Sequence, residues 1–124
     1  MLDEFDAMAT LAVADLTRSR AFYERVLGLV PAAVPEPHMA AYRTGASTLM
    51  VYESEFAGTN RATSATWTVR GLPALVQALQ ARGAVFEQYD MPGTVREGAV
   101  HRGGGRSVAW CKDPDGNILC LAEG

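Results

Sequence analysis

The sequence predicts an α+β fold in which one βαβββ unit occurs twice, and three observations carry that prediction. The pattern Val13-x-x-Leu16 returns as Val69-x-x-Leu72, an offset of 56 residues (13 to 69), and the helix-ending glycines Gly28 and Gly83 lie 55 residues apart (28 to 83). Between the copies, over 54–63, the chain turns small and polar. At the C-terminus two apolar runs flank Asp113-Pro114-Asp115-Gly116-Asn117, the signature of a closing β-hairpin. The expected organisation is a single domain, 1–124, built of two modules, 1–53 and 64–124, with 54–63 as linker.

The first element is a strand in which Ala9, Leu11 and Val13 alternate with Met8, Thr10 and Ala12. Asp15 or Thr17 then caps a helix running to about Leu27. Phe22, Tyr23, Val26 and Leu27 form its apolar stripe, Arg18, Arg20, Glu24 and Arg25 its wet side, and Gly28 its stop. Short strands are expected over 29–34, 39–43 and 47–52, separated by Pro35-Glu36-Pro37 and Thr44-Gly45-Ala46. The second copy restarts with a strand over 64–69 and a helix over 72–82. Pro73 lies in that helix's first turn, Leu72, Leu75, Val76 and Leu79 form its stripe, and Gly83 ends it. Strands over 85–88 and 99–101 are expected next, with 89–98 as a loop, before the final hairpin of 107–111 and 118–122.

The hairpin connection is either a tight two-residue turn or a five-residue loop from Asp113 to Asn117. Pro114 cannot donate to a ladder and Asp115-Gly116 supplies a flexible turn end, which favours the longer loop. That loop sets Trp110 opposite Cys120, and it sends Cys111 and Cys120 to opposite faces, so no disulfide is expected between them.

With 124 residues, 48% of them hydrophobic, the chain can bury a core of its own. A net charge of −3 with scattered Lys and Arg offers no footprint for nucleic acid or an anionic membrane. The apolar runs are short, and Met1-Leu2-Asp3-Glu4 is acidic where a signal peptide would be basic. Two buried free thiols suit a reducing compartment. The expectation is a cytoplasmic protein with no membrane or nucleic-acid partner.

The segment Leu11-Ala12-Val13-Ala14-Asp15-Leu16-Thr17-Arg18-Ser19-Arg20-Ala21-Phe22-Tyr23-Glu24-Arg25-Val26-Leu27-Gly28-Leu29 resembles the opening of the vicinal oxygen chelate superfamily, which includes glyoxalase I, bleomycin-resistance proteins and extradiol dioxygenases. The ending Lys112-Asp113-Pro114-Asp115-Gly116-Asn117-Ile118-Leu119 resembles that superfamily's closing hairpin. The resemblance implies the glyoxalase/bleomycin-resistance fold. Its strands make a cup-shaped mixed sheet open to solvent with helices on the outer face, usually completed as a homodimer. The fold hosts isomerases, lyases, oxygenases and binding proteins alike, so it does not fix the chemistry.

Carried over residue by residue, the glyoxalase-like metal-ligand positions fall on Met8, Met50, Ser64 and Cys120. None is the His or carboxylate that a hard or borderline divalent ion requires. Glu53 lies three residues beyond Met50, and in an unbulged strand it points away from the cup. His38 and His101 each neighbour a turn and are expected to be surface or capping residues. Cys120 has no nearby His, Lys or Arg in sequence to activate its thiol. Gly103-Gly104-Gly105 precedes no helix, so it reads as a hairpin turn and not a phosphate cradle. No metal, cofactor or catalytic residue is expected.

If Leu11, Val13, Ala65, Trp67, Val69, Leu119 and Leu121 pack under the helices, alternation gives the other face Met8, Thr10, Met50, Tyr52, Ser64, Thr66, Val108, Trp110, Ile118 and Cys120. That set is apolar and aromatic with a few hydroxyls, the composition of a small-molecule pocket. It is also the composition of ordinary core. The expected function is metal-independent binding of a planar or amphipathic small molecule in the cup, as in the drug-binding, bleomycin-resistance-like branch. The alternative is a glyoxalase-like lyase or isomerase, or a dioxygenase, with ligands elsewhere.

Overall fold

The computed structural model describes residues 1–34 and 36–124. Pro35, the first residue of the Pro35-Glu36-Pro37 break, lies outside the described residues. The first sheet contains β1 (Ala9–Val13), β2 (Val30–Ala32), β3 (Met39–Thr44) and β4 (Ser47–Glu53), in the order β1-β4-β3-β2. The second contains β5 (Thr63–Thr68), β6 (Val95–Glu97), β7 (Val100–Gly103), β8 (Arg106–Lys112) and β9 (Ile118–Glu123), in the order β5-β9-β8-β7-β6. Each sheet has one parallel pair, β1 with β4 and β5 with β9, and the crossover that such a pair needs carries the helix. The remaining pairs are antiparallel.

Helix α1 (Leu16–Arg20) runs into a π-helical turn, Ala21–Val26, closed by Leu27 N–H donating to Phe22 O at 3.0 Å. Asp15 is its cap, accepting from the backbone N–H of Thr17 at 2.8 Å. Helix α2 (Leu72–Ala81) begins with Pro73 in its first turn, and its N-cap is Gly71 at φ 67°, a residue with no side chain to cap with. A carboxylate at the end of the neighbouring strand caps instead. Glu123, on β9, accepts from Gly71 N–H at 2.6 Å and Leu72 N–H at 3.1 Å. Glu53 ends β4 in the first sheet and does the same for Leu16 N–H at 3.1 Å. The internal repeat therefore extends to its helix caps.

The copies differ after the helix. The expected strand over 85–88 is reduced to a single bridge, Phe86 to Cys111. The expected loop over 89–98 contains β6, which with β7 forms an extra hairpin that takes the rest of the β8 edge. Gly104 and Gly105, at φ 59° and 76°, form the two-residue turn between β7 and β8.

The core lies between sheets and helices. Leu11, Val13, Leu49, Val51, Ala65, Leu119 and Leu121 are buried there, and Trp67 and Val69 pack against them. The closing hairpin has its five-residue loop: Asp113 N–H donates to Asn117 O at 3.0 Å, and Trp110 stands opposite Cys120. This loop also fastens the two halves together. Asp113 accepts from the Tyr23 hydroxyl at 2.7 Å, Asp115 accepts from Arg18 at 2.6 Å and from Ala14 N–H at 3.2 Å, and the Asn117 amide donates to Ala12 O at 2.8 Å.

Candidate functional site

Within each of the two sheets, strand pairing assigns most of the predicted residues to the face away from the helices. In the first sheet Thr10 lies beside Met50, and Met50 beside Ala41; Tyr52 lies beside Ala12. In the second, Thr66, Cys120 and Trp110 form one row across β5, β9 and β8. Thr68, Ala122 and Val108 form the next, and Val108 stands opposite His101 of β7. Ile118 belongs to the row of Thr63 and Lys112. Ser64 sits where β5 shifts register against β9, between Thr63 and Ala65. Met8 precedes β1 and is exposed, outside the ladder.

Two neighbourhoods form on this face. One is a cavity of about 320 Å³ that brings together Thr10, Tyr52 and Ser64. Phe56, Thr59 and Asn60 also line it. They belong to the 54–63 segment, which its composition presents only as a linker. Gly58 sits so close to the 113–117 loop that a Cβ there would lie 2.7 Å from Asp115 O. That approach brings the segment against the face.

The other neighbourhood centres on Trp110. Its ring meets Tyr89 edge-on at 5.3 Å and His101 at 5.0 Å between centroids. His101 is not the surface residue that its place before a glycine run suggests. It is 2% exposed, and its Nε2 accepts from Tyr89 N–H at 2.9 Å. Nδ1 therefore carries the proton, 3.0 Å from Ala99 O, and both ring nitrogens are occupied. His38 is exposed and bonds Glu53 at 2.7 Å. On the same face as Trp110, Lys112 is paired with Glu87 at 3.0 Å, and the bond to Glu87 raises the lysine's pKa and keeps it charged. Nothing in the spacing of 85–89 marks Tyr89 or Glu87 as neighbours of Trp110, because their approach depends on the single bridge at Phe86.

A divalent metal does not fit this set. Met8, Met50, Ser64 and Cys120 offer no imidazole or carboxylate. Glu53 is engaged with Leu16 N–H and His38, and no group of three potential ligands converges among the described residues. Cys111 and Cys120 are free and buried, on opposite faces. Burial pushes both thiols up, Cys111 to about 12, so neither is a ready nucleophile.

Residues 6–121 match the model of the Glyoxalase/Bleomycin resistance protein/Dioxygenase superfamily. The chain belongs to that superfamily. Among curated proteins none matches it. Solved structures share the fold at low identity. The bleomycin-binding protein of Streptomyces verticillus, complexed with copper(II)-bleomycin, is 19% identical with a TM-score of 0.74 over 97% of this chain and 96% of that one. A lactoylglutathione lyase from Agrobacterium tumefaciens is 16% identical with a TM-score of 0.72, covering 97% and 93%. The fosfomycin resistance protein FosX of Mesorhizobium loti is 14% identical with a TM-score of 0.68, covering 100% and 94%. This superfamily member thus has the two-module α+β fold, and its structural neighbours include a drug binder, a lyase and a resistance protein. No helix among the described residues is long and apolar enough to cross a membrane.

Proposed function

We propose that this superfamily member binds a flat or amphipathic small molecule on the open face of its sheets and releases it unchanged, without a metal. The proposal takes the chain as one domain of two modules, 1–53 and 64–124, acting in the cytoplasm as a homodimer. The observation that carries it is the chemistry of the face. Trp110, Met50, Val108 and Ile118 offer apolar contact, and Thr10, Ser64 and Thr66 can orient a ligand by hydrogen bonds. The one imidazole there, His101, spends both nitrogens on the backbone. A general base must reach a substrate proton with a free lone pair; the strand positions supply no carboxylate or free imidazole, and the neighbouring Glu87 carboxylate is paired with Lys112. The bleomycin-binding neighbour supports drug-like binding as a use of this fold.

Native mass spectrometry after expression in rich medium tests the proposal. The expected result is a dimer without stoichiometric metal, from which any co-purified ligand dissociates intact. A monomer, one bound metal per chain, or a ligand converted on incubation would contradict it.

A further inference from the structure

We propose that the cleft between the two modules on the helix side is a second binding site, for a neutral one-ring aromatic molecule carrying a single hydrogen-bond acceptor. The cleft has a volume of about 180 Å³, is partly open to solvent, and lies on the opposite side of β5 from the row that carries Thr66. Leu75 and Leu79 of α2 line it together with Leu27, which follows the π-helical turn, and with Trp67 and Leu121 of the second sheet. It lies at the junction of the two core clusters, since Leu27 and Trp67 pack against both. An apolar cavity of roughly 150 Å³ admits benzene, so by size this cleft takes a single ring with a small substituent.

One polar side chain in the lining sets the chemistry. Thr44 Oγ1 accepts from the indole N–H of Trp67 at 2.8 Å and donates to no acceptor among the described residues. Its hydrogen is therefore available to an acceptor on the ligand. The titratable group in the wall is the Cys111 thiol, which burial holds in its neutral form. A charged ligand would lose its hydration there with no partner in return.

Titration of methyl-labelled protein with anisole and with toluene tests the site. Both should shift the methyl signals of Leu27, Leu75, Leu79 and Leu121. Anisole should bind roughly three- to tenfold more tightly, as one net hydrogen bond allows, and Thr44→Val should abolish that preference. Leu75 is only half-buried, so Leu75→Trp should fold and should block both ligands. Shifts confined to Val108 and Ile118 would place the ring on the open face and overturn the proposal. Absence of saturable shifts, or a preference for anisole that survives Thr44→Val, would overturn it as well. The readouts at Val108 and Ile118 keep this result separate from any binding at the open face.

Discussion

Asp113 accepts four hydrogen bonds: from the Tyr23 hydroxyl, from the backbone N–H groups of Asp115 and Asn117, and from the Asn117 side chain. Burial, and then the adjacent carboxylate, hold the Tyr23 hydroxyl protonated far above the usual phenol range. Asp113→Ala would strand several of these donors in the interior, and the expected loss in urea denaturation is about 3 kcal/mol or more. Tyr23→Phe leaves the carboxylate its other donors and should cost only about 1–2 kcal/mol. Equal losses for the two variants would show that the loop does not depend on the carboxylate. The turn itself is legible in the sequence, because Pro114 and Gly116 have local meaning and the five-residue loop they favour sets Trp110 opposite Cys120. The fastening to Tyr23 is not, because the partner lies 90 residues away. His101 is misread for a similar reason. Its burial depends on Tyr89 and Trp110, which only the folded sheet brings to it.

At the scale of elements, the first strand, both helices and the final hairpin follow from alternation, capping and turn residues. Three features do not, the first being the expected strand over 85–88, which is a single bridge at Phe86. Strand β6 is three residues long and wholly exposed, so it carries no hydrophobic period to read. The π-helical turn places the adjacent rings of Phe22 and Tyr23 together in the core, a choice decided by packing against the sheet. The helix caps make a prediction of their own. Hydrogen bonds to the helix N-termini lower the pKa of Glu53 and Glu123 from an ordinary 4.5. A carboxylate with a depressed folded pKa contributes stability above its unfolded value and loses it as pH falls through the folded one. Stability should therefore decline on acidification below about 4.5. Glu123→Gln should be less stable at neutral pH and flatter across that range. A variant with an unchanged acid limb in pH-dependent denaturation would show that the cap is not coupled to folding.

For the whole molecule, the repeat at 56 residues and the closing hairpin carry the two-module architecture into the sequence, and the superfamily match over 6–121 agrees with them. The candidate site is only half legible. Alternation places Trp110, Cys120 and Thr66 in one row and Thr10 beside Met50, but not Met8, which lies outside the strand. The contributions of Phe56 and Asn60 depend on a loop folding back over the sheet, which no local pattern encodes. In the proposed complex a flat ligand lies against Trp110. That placement is tested most directly by the two indole N–H signals of the protein during titration with the three-ring probe 9-aminoacridine, each assigned with a Trp→Phe variant. Three fused rings exceed the small cleft beside Trp67. The Trp110 signal should shift saturably while that of Trp67, bonded to Thr44, stays in place. A shift at Trp67 alone would overturn this placement of the ligand, as would a saturable complex that leaves Trp110 untouched.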